Sequence, residues 1–235
     1  MSITIKQRQY IGFSLLLVVT MTATVTAYHG TQQKFVLFHQ AEELTRAGAM
    51  EQGAARARQA IAAGFDRGPA IIRLAEEYLA AGDLKTASAL LGEMLSRQAE
   101  DGTLVHRFGL LLTREGKTAE AIALYARHPH AWKNIPEAYF HLAGLYQGRH
   151  EFKKAVALFR AGLILAPDNM ANRLQLADTL SWMQNYQEAI AMYRQILAKR
   201  PNLRPARFAL ARVLAWDGKR DEAIREYRIA LGDLP

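Results

Sequence analysis

Residues 170–203 read MANRLQLADTLSWMQNYQEAIAMYRQILAKRPNL, and how this stretch folds decides the fold of the chain. Leu174, Leu176, Ala177, Leu180 and Trp182 give its first half an apolar surface. Ala189, Ile190, Tyr193, Ile196 and Leu197 recur at helical spacing in the second half. Gln184-Asn185 is the turn, and Pro201 ends the second helix because its ring clashes with the preceding turn. The stretch therefore predicts two antiparallel helices. Ala177 and Ala189 are small enough for close approach, and Tyr193 fills the gap toward a neighbour. One such pair cannot bury both of its faces, so it needs others stacked on it.

The neighbours are written at a spacing of 34 residues. Pro167, Pro201 and Pro235 lie in one series, and Ala87, Ala121, Ala155, Ala189 and Ala223 in a second. Leu91, Tyr125, Phe159, Tyr193 and Tyr227 form a third, and Ala75, Gly109, Ala143, Ala177 and Ala211 a fourth. Gly48, Gly82, Gly116 and Gly218 hold the turn position, where a left-handed residue ends a helix. A period in this range means a stacked array. The expected fold class is all-α: a right-handed α-solenoid of about six 34-residue helix-turn-helix units behind an N-terminal hydrophobic helix.

The pattern resembles the tetratricopeptide repeat. The family's small, small, aromatic and proline positions fall on Ala143, Ala155, Phe159 and Pro167, then on Ala177, Ala189, Tyr193 and Pro201, then on Ala211, Ala223, Tyr227 and Pro235. The expected units are 68–101, 102–135, 136–169, 170–203 and 204–235, preceded by a degenerate capping repeat at 34–67. In that cap Ala41, Leu44, Gly48 and Gly53 keep the register, while Ala57 and Ala60 replace bulk. Pro129 should shorten or kink the second helix of its unit.

Residues 1–29 are a separate object. Lys6 and Arg8 precede an uncharged run, Tyr10 to Tyr28, whose 19 residues as a helix would span about 28 Å, close to a hydrocarbon core. Two readings stand. The run is an uncleaved signal anchor, or a signal peptide cleaved near Ala27 after Val25-Thr26-Ala27. The early positive charges keep the N-terminus in the cytoplasm. The expected location is the bacterial inner membrane, single-pass through residues 10–28 with the repeats in the periplasm, or soluble periplasmic after cleavage.

Across all 235 residues the formal charge is +8, half the residues are apolar, and there is no cysteine. Thiolate zinc sites, disulfides and cysteine nucleophiles are excluded. None of the seven histidines forms a helical His-x-x-x-His pair, and Glu42-Glu43 and Glu76-Glu77 are adjacent, so they point apart on a helix. His128-Pro-His130 reads as a solvated loop. No catalytic residue, metal site or cofactor is expected, and the chain is not read as an enzyme.

The resemblance implies that the first helix of each unit lines a concave groove. The groove residues it implies include His106, Arg114, Phe140, Gln147, Asp178, Trp182, Phe208, Arg212 and Trp216. Trp182 and Trp216 are 34 apart and so occupy equivalent sites, an expected aromatic ladder with Phe140 and Phe208 close by; the competing reading packs both tryptophans as core. Residues 194–235 hold ten Lys or Arg against five Asp or Glu, a net of +5; Arg220, Arg225 and Arg228 belong on a solvated outer helix. Three functions follow. The first is a non-catalytic scaffold of the bacterial cell envelope, holding a protein partner, acidic by charge, in the groove. The second is a periplasmic component of exopolysaccharide synthesis or export, with an anionic polysaccharide as partner, from a resemblance carried by Leu180-Ser181-Trp182 and Leu214-Ala215-Trp216. The third is a cytoplasm-facing adaptor or co-chaperone. Nucleic acid is not an expected partner. The sequence stops at the closing Pro235 with no capping helix, so self-association or partner docking is expected through Tyr227 and Leu231.

Overall fold

The computed structural model describes residues 20–22, 28 and 32–232. Among them every regular element is helical, and no helix is long and apolar enough to cross a membrane. The expected hydrophobic segment 10–28 lies outside the described residues except for 20–22 and 28, and Pro235 also lies outside them. The chain divides into two compact units between Gln98 and Ala99.

The first unit contains α1 (32–46), α2 (Met50–Ala62), α3 (Gly68–Ala80) and α4 (Leu84–Arg97). The alanines of the degenerate repeat have a packing role. Ala54, Ala57 and Ala60 are buried, and a Cβ on Gly53 would meet Thr45 Oγ1 at 2.5 Å, so α1 and α2 lie too close for bulk. Bulk comes instead from Phe38, stacked on Phe65 with ring centroids 4.2 Å apart. Asp83 caps α4 by accepting from the Thr86 N–H at 3.0 Å.

The second unit runs through α5 (Gly102–Arg114), α6 (Thr118–Arg127), α7 (Pro136–Gly148), α8 (Phe152–Leu165), α9 (Met170–Trp182), α10 (Tyr186–Lys199), α11 (Arg204–Trp216) and α12 (Arg220–Leu231). Helices α6, α8 and α10 each pack on their own partner and on the first helix of the next pair. Tyr125, Phe159 and Tyr193, one period apart, are buried at those junctions, as are Ala155, Ala177 and Ala189. Polar contacts repeat with the same period. Arg173 donates to the Pro167 carbonyl at 2.8 Å and Arg207 to the Pro201 carbonyl at 2.7 Å. Arg160–Glu188 and Arg194–Glu222 are equivalent ion pairs at 2.5 Å.

All six hairpin turns pass through a left-handed residue: Gly48, Gly82, Gly116, His150, Gln184 and Gly218, with φ from 59° to 83°. Pro129 shortens α6, which ends at Arg127 after ten residues where α8 and α10 have fourteen. The lost turn is replaced by Trp132, buried edge-on against Tyr125 and Tyr139, its indole N–H donating to the Tyr125 carbonyl at 2.9 Å.

Candidate functional site

The second unit presents the expected groove residues on α5, α7, α9 and α11, but in three different situations. The first is core. Phe140 is buried, a correction to its expected place in the groove; Gly162 makes the room, since a Cβ there would lie 2.5 Å from the Phe140 ring. The expected ladder therefore lacks this ring.

The second situation is a half-buried polar network. His106 and His141 both bond the Tyr125 hydroxyl through Nδ1 at 2.9 Å, and His141 Nε2 meets Thr113 Oγ1 at 3.0 Å. Thr113 spends its proton on the Gly109 carbonyl, so it accepts from His141 Nε2–H. His141 Nδ1 is then the acceptor for the Tyr125 hydroxyl, and His106 Nδ1–H donates to the Tyr125 oxygen. Every proton in this chain has one acceptor. Burial holds the His141 imidazole down to about 4, with His106 beside it as a smaller cause, and burial also lowers His106. The Tyr125 hydroxyl is raised by burial. One period further, Gln147 donates to Thr179 at 2.9 Å. Asp178 accepts from the Tyr193 hydroxyl at 2.6 Å, and burial raises its carboxyl against the opposing effects of that bond and Arg212.

The third situation is exposure. Trp182 is 46% exposed, Trp216 49% and Phe208 37%, so the tryptophans are not interior core. They do not touch each other. Trp182 meets Phe152 at 5.7 Å and Trp216 meets Tyr186 at 6.3 Å, a repeated pairing between the start of one second helix and the end of the next first helix. Phe208 packs on Tyr227 at 6.2 Å, which leaves Tyr227 half-buried while Leu231 and Ile224 are exposed. Arg212 lies over the Trp216 ring at 5.3 Å and 4.0 Å from Asp178. Arg114 is exposed, as are Arg220, Arg225 and Arg228 on α12. Arg194 and Arg207 are committed to Glu222 and Glu226, which reduces the free charge of the basic C-terminal stretch.

The Phe152–Trp182 pair walls a cleft of about 530 Å³ over Gly144, Gln147 and Gly148, with His150 at its edge. The first unit has a larger cleft, about 740 Å³, but its lining is mostly Gln, Glu and Arg with no aromatic ring.

Two family models, both described as tetratricopeptide repeat, match this chain, one at residues 34–130 and the other at 147–202 and 183–233. The chain belongs to the tetratricopeptide repeat family. Solved structures with the same fold include MamA (18% identity, 70% of this chain and 90% of that one, TM-score 0.65). YrrB, described as a tetratricopeptide repeat protein with an unusual peptide-binding site, aligns at 16% identity over 75% of this chain and 91% of its own, TM-score 0.66. A putative kinesin light chain from Podosopora anserina aligns at 19% identity over 71% and 94%, TM-score 0.57. No curated protein matches the chain in sequence. In this tetratricopeptide repeat protein, the signal for Phe152 was present in the sequence as its 34-residue relation to Tyr186; Trp132 and His141 carried no such period.

Proposed function

We propose that the chain is a non-catalytic scaffold that holds a protein partner along the face formed by α7, α9 and α11. The observation that carries this reading is the Trp216–Arg212–Asp178 arrangement: a half-exposed indole with a guanidinium over it, on successive first helices. An exposed aromatic backed by a cation supplies rigid apolar area and a charge for the partner's carboxylates. The peptide-binding site named for YrrB is consistent with the same use of this fold. The uncharged run at residues 10–28 supports tethering in the bacterial envelope, with the repeats outside the cytoplasm.

The test is crosslinking and copurification from membranes with wild type and the double variant Arg212→Glu/Trp216→Ala. Both side chains are about half-exposed, so the fold should persist. The expected result is loss of the protein copurified by wild type. An unchanged set of captured proteins with unchanged helical content would reject this face as the binding surface.

A further inference from the structure

The cleft beside Trp182 lies where α7 departs from the repeat pattern. Position 144 is equivalent to Leu110, Asp178 and Arg212, and position 148 to Arg114, Trp182 and Trp216, yet both are glycine here. A glycine inside a helix costs roughly 0.5–1 kcal/mol relative to alanine, which applies to Gly144; Gly148 is the last residue of α7. Gly53, Gly109 and Gly162 have a packing reason, since a Cβ on each would lie 2.5–2.8 Å from a neighbouring atom. Gly144 and Gly148 have none: a Cβ on either meets nothing within 4 Å. The fold does not require them, and their effect is to leave about 530 Å³ open against two aromatic rings. One helical turn apart, each leaves open space where the other units carry a side chain.

The rim is basic. Arg149 and Lys154 share one carboxylate, Glu151, at 2.9 and 2.6 Å, and Lys153 has no carboxylate partner among the described residues. His150 borders this cleft and also the adjoining one of about 450 Å³ lined by Lys153, Lys154 and Met183. The lining offers few hydrogen-bonding side chains, among them the His150 ring and the Gln147 amide, one of whose two N–H groups goes to Thr179. An aromatic side chain needs no such partners. Within this chain the Tyr78 of Glu76-Glu77-Tyr78 is buried, and Tyr227, between Glu226 and Arg228, is half-buried on Phe208.

We propose that the cleft over Gly144 and Gly148, walled by Phe152 and Trp182, takes an aromatic side chain from an acidic segment of a partner protein, whose carboxylates face Lys153 and its neighbours. This rests on the scaffold reading and adds a specific anchor to it. The experiment is fluorescence anisotropy on the full chain in detergent micelles. The probe is a labelled peptide with one tryptophan between two pairs of glutamates. Two control peptides replace the tryptophan by alanine or the glutamates by lysines. The wild type should bind the probe at least tenfold tighter than either control.

Gly148→Trp fills the cleft with the residue that the next two units carry at this register, and should weaken binding tenfold or more. Lys153→Glu, fully on the surface, should weaken it severalfold, with a smaller dependence on salt. Equal binding by Gly148→Trp with unchanged circular dichroism overturns the proposal, as does equal binding by Lys153→Glu. Displacement of the probe by a glucuronate tetrasaccharide at equal concentration would assign the cleft to a polymer and overturn it too. If Gly148→Trp still copurifies the partner that Arg212→Glu/Trp216→Ala loses, the cleft is rejected while the scaffold reading stands.

Discussion

At the residue scale, backbone conformation and burial make separable demands. Gln184 occupies the left-handed turn position that glycine fills in four of the six units, with φ of 61°. A side chain in that conformation costs roughly 1 kcal/mol, so Gln184→Gly should raise stability by about 0.5–1 kcal/mol in urea denaturation. Gly109 is the opposite case. A Cβ there would lie 2.8 Å from the Tyr125 ring, and Gly109→Ala should destabilise by about 1–3 kcal/mol through overpacking. His141 sets a pH dependence. Its folded-state value of about 4 lies below the unfolded value of 6.5, so the unfolded chain binds the proton more readily. The stabilisation is complete above 6.5 and declines as pH falls from 6.5 toward 4. His141→Gln can keep both hydrogen bonds without titrating. The urea midpoint should therefore drop less between pH 7 and pH 5 in this variant than in wild type; an identical drop would assign the dependence to other groups.

At the element scale, the irregular pair α5–α6 shows how a shortened helix is repaired. Pro129 removes the last turn of α6, and Trp132 replaces the missing bulk from the following loop. Trp132→Ala should cost about 3–5 kcal/mol, and Trp132→Phe less, because the ring packing survives while the Tyr125 carbonyl loses its donor. Denaturation followed by hydrogen exchange should place the weakening in residues 102–148, since neighbouring repeats are coupled only through their interfaces. The ion pairs Arg160–Glu188 and Arg194–Glu222 are more than one-third exposed on the arginine side, so Glu188→Gln should change stability by less than about 1 kcal/mol despite the 2.5 Å contact.

At the scale of the whole molecule, the proposed topology places residues 10–28 in the membrane and the repeats beyond it. A C-terminal alkaline phosphatase fusion should be active in a bacterial host, and a fluorescent cytoplasmic reporter at the same site should be dark. The reverse pair of results would turn the array toward the cytoplasm and favour an adaptor. Intact-mass measurement that begins at Tyr28 would establish cleavage in place of anchoring. Docking through the last repeat is tested on Leu231 with Ile224, 63% and 51% exposed, because Tyr227 is half-buried on Phe208. If this surface docks a second copy, Leu231→Ser/Ile224→Ser should abolish self-association in sedimentation at unchanged helical content, and a wild type that sediments as a monomer rejects that use of the surface.

The sequence by itself determined the helix pairs and the turn register, because both rest on local chemistry repeated every 34 residues: a small residue for close approach, a left-handed turn, a proline stop. The same period makes Trp182 and Trp216 equivalent positions, with Arg212 one helical turn before Trp216. Exposure was decided only by tertiary structure. Phe140 and Phe208 share one register position, yet Phe140 is buried because Gly162 opens a place for it, while Phe208 rests partly exposed on Tyr227. Likewise, His106 and His141 stand 35 residues apart in sequence and meet only because Tyr125 lies between their helices. Period specifies which positions face a neighbour; the volume and polarity of that neighbour determine whether a side chain becomes core, network or binding surface.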